Sequence, residues 1–252
     1  MSTVGEGVRS GAPEVTDFIA RVWKQRPGVA MRGLDLVVFD MAGTTVRDDG
    51  QVPTAFAAAL AEYGVIAGPD IIRSVRGASK RDAIRTLLPA GANKDELAEL
   101  AYASFRTHLA RGYANTAQSV PGAADVFAWL RSRGIQVALN TGFDRDTAQM
   151  LLAALGWETG VVDAVVCGDE VPRGRPAPDM IFRCMEATGT ASANRVANVG
   201  DTALDLQAGH RAGVRFNIGV LSGAHGRDVL VREPHTQLLP SVAGLPALLA
   251  GV

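Results

Sequence analysis

The chain has few cysteines, no excess of either charge and no long apolar run. Its two cysteines, Cys167 and Cys184, are too few for a disulfide scaffold and lack the CxxC spacing of zinc sites. We interpret them as buried thiols in a reducing compartment. The 25 basic and 26 acidic residues nearly cancel, which leaves no electrostatic footprint for nucleic acid or an anionic membrane surface. A small-molecule partner is therefore expected.

Membrane and secretory signals are also missing. No apolar run approaches the roughly 18 to 20 residues of a spanning helix, and the first thirty residues contain no apolar core of a signal peptide. We therefore expect a cytoplasmic protein that binds no membrane. The length of 252 residues suits one α/β domain with an insertion, or two small domains.

Five short apolar runs rich in β-branched residues predict buried strands. They cover residues 34–39, 135–140, 162–166, 196–199 and 214–218, and helical patterns cover residues 123–133, 145–155, 178–188 and 203–212. This alternation predicts the α/β class, with a Rossmann-like, doubly wound parallel sheet whose ligands bind beyond the carboxyl ends of the strands. Four polar residues follow strand ends and are expected to meet there: Asp40, Thr141, Asp169 and Asp201.

Residues 53–117 interrupt the alternation with helical periodicity and no convincing strand. Roughly sixty residues of helix between two strands are too many for a simple crossover. We predict a helical cap subdomain over 53–117, inserted into a core of residues 34–52 and 118–252, with an N-terminal extension over 1–33. Helical insertions at this place often act as lids that exclude water.

Carboxylates at two strand ends predict a divalent cation site. Asp40 is followed by a tight loop with small residues over 42–45, whose backbone N–H groups can hold an anion. Asp201 and Asp205 follow the fourth strand and lie on one face of the next helix. Because carboxylates that meet without a cation repel one another, Mg²⁺ is expected, held by a few carboxylates and a substrate phosphate.

In their order these motifs resemble those of the haloacid dehalogenase superfamily of phosphoryl-transfer hydrolases, over residues 34–220. The resemblance implies a core of that fold with an inserted cap. It implies that Asp40 is the nucleophile that accepts the phosphoryl group and that Thr141 binds phosphate through its hydroxyl. Arg175 occupies the cationic position that usually holds a lysine.

The resemblance also implies the remaining site residues. Asp40, Asp201 and the Ala42 carbonyl would hold Mg²⁺, with Asp205 supporting from behind. Gly43, Thr44 and Gly142 are expected to contact the substrate, and so is Arg76, although the last expectation comes from its charge and not from the resemblance.

Two departures from the superfamily pattern resemble phosphonoacetaldehyde hydrolase (phosphonatase). The superfamily normally has an Asp general acid two positions after the nucleophile, where this chain has Ala42, which transfers no proton. The second departure is the arginine at position 175. Phosphonatase cleaves a carbon–phosphorus bond with a Schiff-base lysine from its cap, and residues 77–82 resemble its Gly-x-x-Lys-x-Asp segment. Lys80 is the lysine of that segment and one of only three in the chain.

The same segment differs from phosphonatase at two places. Phosphonatase has a His three positions after the lysine, where this chain has Ala83, and a Met four positions before it, where this chain has Arg76. The missing His removes a proton relay, and Arg76 is expected to clamp an anionic group of the substrate. A solvated Lys80 at the start of a helix therefore stays an alternative to Schiff-base chemistry.

Together these features predict a Mg²⁺-dependent hydrolase that forms an aspartyl-phosphate on Asp40 and acts on phosphonoacetaldehyde or a related phosphonate. Two alternatives stay open. One is a phosphate-monoester phosphatase, similar to phosphoglycolate phosphatases, that works without a general acid. The other is a catalytically silent module that binds a phosphorylated ligand. A homodimer formed through the cap is expected from the resemblance alone.

Overall fold

The computed structural model describes residues 33–250, so nearly all of the extension predicted over 1–33 lies outside the described residues. Six parallel strands form one sheet in the order β3-β2-β1-β4-β5-β6. The strands are β1 (Leu36–Asp40), β2 (Gln136–Thr141), β3 (Ala164–Cys167), β4 (Val196–Gly200), β5 (Phe216–Val220) and β6 (Gln237–Leu239). This is the predicted doubly wound α/β sheet.

Helices cover both faces of the sheet and form the insertion. They are α1 (Gln51–Ala61), α2 (Pro69–Ser74), α3 (Lys80–Leu87), α4 (Lys94–Tyr113), α5 (Ala123–Arg131), α6 (Arg145–Leu155), α7 (Asp179–Ala187), α8 (Ala203–Ala212), α9 (Arg227–Leu230) and α10 (Leu245–Leu249). Although α4 has 20 residues, no helix in the described range is both long and apolar enough to cross a bilayer.

Strand β1 lies in the middle of the sheet, which explains its unbroken apolar sequence. Its neighbours are β2 and β4, and all five of its residues are buried. Helices α5 and α6 cover one face, where Phe127 and Leu151 join the main core. Helices α7 and α8 cover the other face, where Cys184 and Ala208 join a second cluster. Parallel sheets need such cover on both faces, so their strands lack polar alternation.

The sequence predicts five of the six strands correctly and misses β6. That strand has three residues, pairs only with β5 at the sheet edge, and is partly exposed. A run this short carries no periodicity that distinguishes a strand from a loop.

The insertion between β1 and β2 contains α1–α4, which we call the cap helices. Helix α1 packs against α4, with 4.7 Å between the ring centres of Phe56 and Phe105. The two connections to the sheet run side by side, because Val46 forms an antiparallel bridge with Ser119. The helices lie where a cap is expected, while the boundaries at 53 and 117 stay predictions.

Candidate active site

Three buried carboxylates meet at the carboxyl end of the sheet. Asp40 ends β1, Asp201 follows β4, and Asp205 lies in the first turn of α8. One oxygen of each lies within 4.8 Å of the others, and none of the three residues is more than 6% exposed. The structure therefore brings together the three acidic side chains that the sequence places at these strand ends.

Arg175 joins two of these carboxylates. Its Nη1 is 2.8 Å from Asp40 Oδ1 and also contacts Asp205 Oδ1. Burial opposes its charge, but the two carboxylates hold the pKa of Arg175 above its ordinary value. The guanidinium therefore stays charged. Its Nε and Nη2 are buried and have no hydrogen-bond partner among residues 33–250.

The loops after β1 and β5 hold Asp201 in place. The Thr44 hydroxyl donates to Asp201 Oδ1 at 3.0 Å, and the Ala224 N–H donates to Oδ2 at 2.6 Å. Gly43 has a φ of +97°, and an added Cβ there would lie 2.4 Å from Asp201 Oδ2. Gly43 and Thr44 thus contact the acidic cluster, while their contact with substrate stays a prediction.

The cluster carries more negative charge than Arg175 compensates. Burial raises the pKa of Asp40 to about 7, against the opposing charge of Arg175. Burial, and then the charge of Asp205, also raises the pKa of Asp201. A bound divalent cation would stabilise the charged form of these buried, neighbouring carboxylates. The all-oxygen donor set fits a hard cation such as Mg²⁺.

Lys80 brings an amine from the cap helices to this site. It begins α3 and is only 6% exposed, which excludes the solvated alternative. Its backbone N–H donates to the Gly142 carbonyl at 3.1 Å. Its Nζ donates to the Ala78 carbonyl at 3.2 Å and lies 5.2 Å from the centre of the Phe143 ring. Burial, followed by the charges of two neighbouring arginines, lowers the pKa of Lys80 to about 8.

Two glycines allow the segment that carries Lys80 to approach the core. A Cβ at Gly142 would lie 2.4 Å from the Ala78 carbonyl oxygen. A Cβ at Gly77, whose φ is +87°, would lie 2.3 Å from Thr202 Oγ1. A side chain at Gly77 or Gly142 would push the segment that carries Lys80 away from the core. The Gly142 carbonyl is engaged by Lys80, and its predicted contact with substrate stays a prediction.

A buried ion pair joins Arg76 to Asp48. Arg76 Nη2 is 2.5 Å from Asp48 Oδ2, and the two side chains are 10% and 2% exposed. The other carboxylate oxygen accepts the Val52 N–H at 3.0 Å, in the first turn of α1. The pair ties the segment before Lys80 to the connection between β1 and α1. Arg76 therefore has a protein partner for its charge, and its predicted clamp on the substrate stays a prediction.

Replacing Arg76 with Met is expected to destabilise the fold by about 3 kcal/mol, because it leaves Asp48 buried without a cation. The free energy of unfolding, from urea titration at pH 7, measures the loss. The double variant Asp48→Asn/Arg76→Met is the control, and we expect it to recover most of the stability. A double variant as unstable as Arg76→Met would contradict the role given to the uncompensated charge.

A cavity of about 10 Å³ lies between the cap helices and the sheet, which is room for about one water molecule. Its lining residues are Asp40, Ala42, Val52, Arg76, Gly77, Lys80, Thr141 and Thr202. Larger cavities of about 380 and 590 Å³, between α4 and α6 and beside β3, include none of these residues. Asp40 and Lys80 thus both line this small cavity.

The structure differs from the sequence interpretation at Asp169, which is exposed and lies outside this cavity. Asp169 lies in the loop after β3, and its carboxylate accepts the Arg145 N–H at 3.4 Å. Sequence reasoning also missed Asp48 and Asn140. A polar Asn140 within an apolar strand was a readable signal, whereas nothing in the sequence marks Asp48 as the partner of an arginine.

Known proteins resemble this chain over most of its length. The family model of haloacid dehalogenase-like hydrolases matches residues 34–213. Phosphonoacetaldehyde hydrolase of Syntrophobacter fumaroxidans is 31% identical over 219 residues, which cover 81% of this chain and 78% of that protein. The enzyme of the same name from Bordetella pertussis is 32% identical over 213 residues, covering 79% and 77%.

Solved structures share the fold. A phosphonoacetaldehyde hydrolase-like protein from Oleispira antarctica superposes with a TM-score of 0.76 at 22% identity, covering 90% of this chain and 95% of that chain. A hydrolase from Pseudomonas syringae superposes with a TM-score of 0.78 at 22% identity, covering 86% and 99%. At these identities the likeness concerns the fold alone.

Proposed function

The chain belongs to the haloacid dehalogenase-like hydrolases, and we propose that it is a Mg²⁺-dependent enzyme that cleaves the carbon–phosphorus bond of phosphonoacetaldehyde or a closely related phosphonate. The observation that carries this proposal is that Lys80 and Asp40 line the same small cavity. An amine activates a carbonyl group covalently, and a carboxylate is a nucleophile toward phosphorus. The names of the relatives from Syntrophobacter and Bordetella support the substrate class.

In the first stage, Lys80 Nζ adds to the aldehyde carbon, and the carbonyl oxygen leaves as water to give an iminium ion. Asp40 then attacks phosphorus. The electron pair of the carbon–phosphorus bond moves into the iminium, so the leaving group is a neutral enamine. An enamine needs no proton from the protein at departure, which fits the methyl group of Ala42 at the position of the general acid.

The second stage returns the enzyme to its starting state. Water hydrolyses the aspartyl-phosphate and releases phosphate from Asp40. The enamine takes a proton on carbon, and a second water hydrolyses the resulting imine to free Lys80 and acetaldehyde. One water is released and two are consumed, so the net reaction is hydrolysis of phosphonoacetaldehyde by one water.

Residues at the strand ends compensate the negative charge of the phosphoryl group. The Thr141 hydroxyl oxygen accepts the Phe143 N–H at 3.2 Å. Its own O–H is therefore available to donate to a phosphoryl oxygen. Arg175 supplies a fixed positive charge beside Asp40. Asp40, Asp201 and the Ala42 carbonyl would hold Mg²⁺, with Asp205 behind. Bound Mg²⁺ supplies positive charge at the phosphoryl oxygens, the dominant contribution in phosphoryl transfer.

Borohydride trapping tests the proposed imine. With phosphonoacetaldehyde present, borohydride is expected to inactivate the enzyme and leave a reduced adduct on Lys80, detected by peptide mass spectrometry. Because only the neutral amine attacks and the pKa of Lys80 is about 8, the trapping rate should rise as pH increases from 6 toward 9. Lys94, at the start of α4, is the matched control and should carry no adduct. Inactivation without modification of Lys80 would overturn the mechanism.

A further inference from the structure

Arg106 is a charged residue of the cap helices that the mechanism above does not use. It lies in α4, where its Nε is 2.9 Å from Asp144 Oδ2 and its Nη2 is 2.7 Å from Asp146 Oδ2. Asp144 directly precedes α6, and Asp146 lies in the first turn of that helix. Because the donors of a guanidinium form a rigid fork, two such contacts also fix its orientation. One arginine therefore bridges the cap helices to a helix that covers the sheet.

Asp144 divides its two carboxylate oxygens between the two sides of this bridge. Its Oδ1 accepts the Thr147 N–H at 2.9 Å and so caps α6, while its Oδ2 pairs with Arg106. The residue is only 7% exposed. Although burial opposes its charge, the hydrogen bonds from Thr147 and the positive charge of Arg106 hold the pKa of Asp144 below its ordinary value. The carboxylate is therefore charged at neutral pH, and Arg106 compensates that charge.

The loop that ends at Asp144 also contacts Lys80. The Gly142 carbonyl accepts the Lys80 N–H at 3.1 Å, and the centre of the Phe143 ring is 5.2 Å from Lys80 Nζ. Three consecutive residues after β2 thus contact two cap helices, α3 through Lys80 and α4 through Arg106. A cavity of about 380 Å³ lies between α4 and α6, and Arg106 lines it. The two helices are therefore not closely packed around Arg106, and its ion pairs span the gap.

We propose that Arg106 is a positioning residue that acts through Asp144: it holds the cap helices on the loop after β2 and so keeps Lys80 at the cavity that Asp40 also lines. That cavity has room for about one water molecule, so the cap helices and the sheet must separate to admit a phosphonate. The side chains of Arg106 and Asp146 are 39% and 73% exposed, so water can replace their contact during this separation. The inference rests on the proposed function only for what Lys80 does once it is in place.

Hydrogen exchange of the Lys80 backbone N–H, followed by NMR without substrate, tests this role, because this group donates to Gly142 across the junction. Arg106→Met should accelerate that exchange about fivefold or more, while the amides of β1 exchange as in the wild type. Arg106→Lys keeps the charge and should stay within about twofold. Arg111→Met is the matched control, since Arg111 is exposed on the same helix and forms no ion pair among the described residues. It should leave the exchange unchanged.

A double-mutant cycle assigns the effect to the ion pair. Asp144→Asn removes the charge but keeps a side-chain oxygen that can cap α6, so it should accelerate exchange at Lys80 as Arg106→Met does. The double variant Arg106→Met/Asp144→Asn should exchange no faster than Arg106→Met alone.

Three outcomes would overturn the inference. They are wild-type exchange at Lys80 in Arg106→Met, accelerations that add in the double variant, and an equal acceleration in β1, which would indicate a loss of global stability. A wild-type enzyme that forms no Lys80 adduct would reject the imine but would leave this exchange comparison intact.

Discussion

Replacing Asp40 with Asn is expected to lower turnover of phosphonoacetaldehyde by on the order of 10⁴-fold or more, because the amide lacks the nucleophilic oxygen that attacks phosphorus. Phosphate release at saturating substrate and Mg²⁺ measures the loss. The Asn side chain has the size of Asp and can still accept a hydrogen bond from Arg175, which is 2.8 Å from the carboxylate. Residual activity within tenfold of the wild type would exclude Asp40 as the nucleophile.

The same substitution should not destabilise the protein when no divalent cation is present. Burial raises the pKa of Asp40 to about 7 in the folded state, against about 4 in the unfolded chain. Between these values the folded state binds more protons, so this residue's contribution to stability is lost as pH rises through the window. The amide does not titrate. At pH 8 Asp40→Asn should therefore unfold at a temperature no lower than the wild type does.

Replacing Lys80 with Met is expected to lower kcat/KM for phosphonoacetaldehyde by at least about 10³-fold, because the carbanion that would otherwise leave is not stabilised without an iminium. Lys94→Met is the matched control, since Lys94 also begins a helix. It lies outside the cavity that Lys80 lines. Equal activities of the two variants would contradict the imine mechanism.

Acetyl phosphate separates the proposed reaction from the phosphatase alternative. Its leaving group departs without protonation, so its hydrolysis requires Asp40 but neither an imine nor a general acid. Lys80→Met should keep acetyl phosphate hydrolysis within about tenfold of the wild type while it loses phosphonate cleavage. Equal losses on both substrates would instead assign Lys80 to electrostatic binding of the phosphoryl group, as in a phosphatase.

The strands of the sheet were predictable because the apolar residues that mark each strand lie within that strand. Strand β1 is buried on both faces, so its apolar run marks it without reference to the rest of the chain. The rule that parallel strands present their carboxyl ends at one edge then places Asp40 near Asp201. The same rule fails at Asp169, which is exposed and whose carboxylate accepts the Arg145 N–H at the start of α6. Loop direction depends on packing that no strand pattern encodes.

By itself, the sequence determined the alternation of strands and helices, the acidic residues at the strand ends and the presence of a lysine in the inserted helices, since each is a property of residue type and spacing. Only the tertiary structure decided that Lys80 is buried in the cavity with Asp40, that Asp48 compensates Arg76, and that Arg175 is held through one nitrogen. Burial and charge pairing depend on distances between residues remote in sequence, which only the packed chain defines.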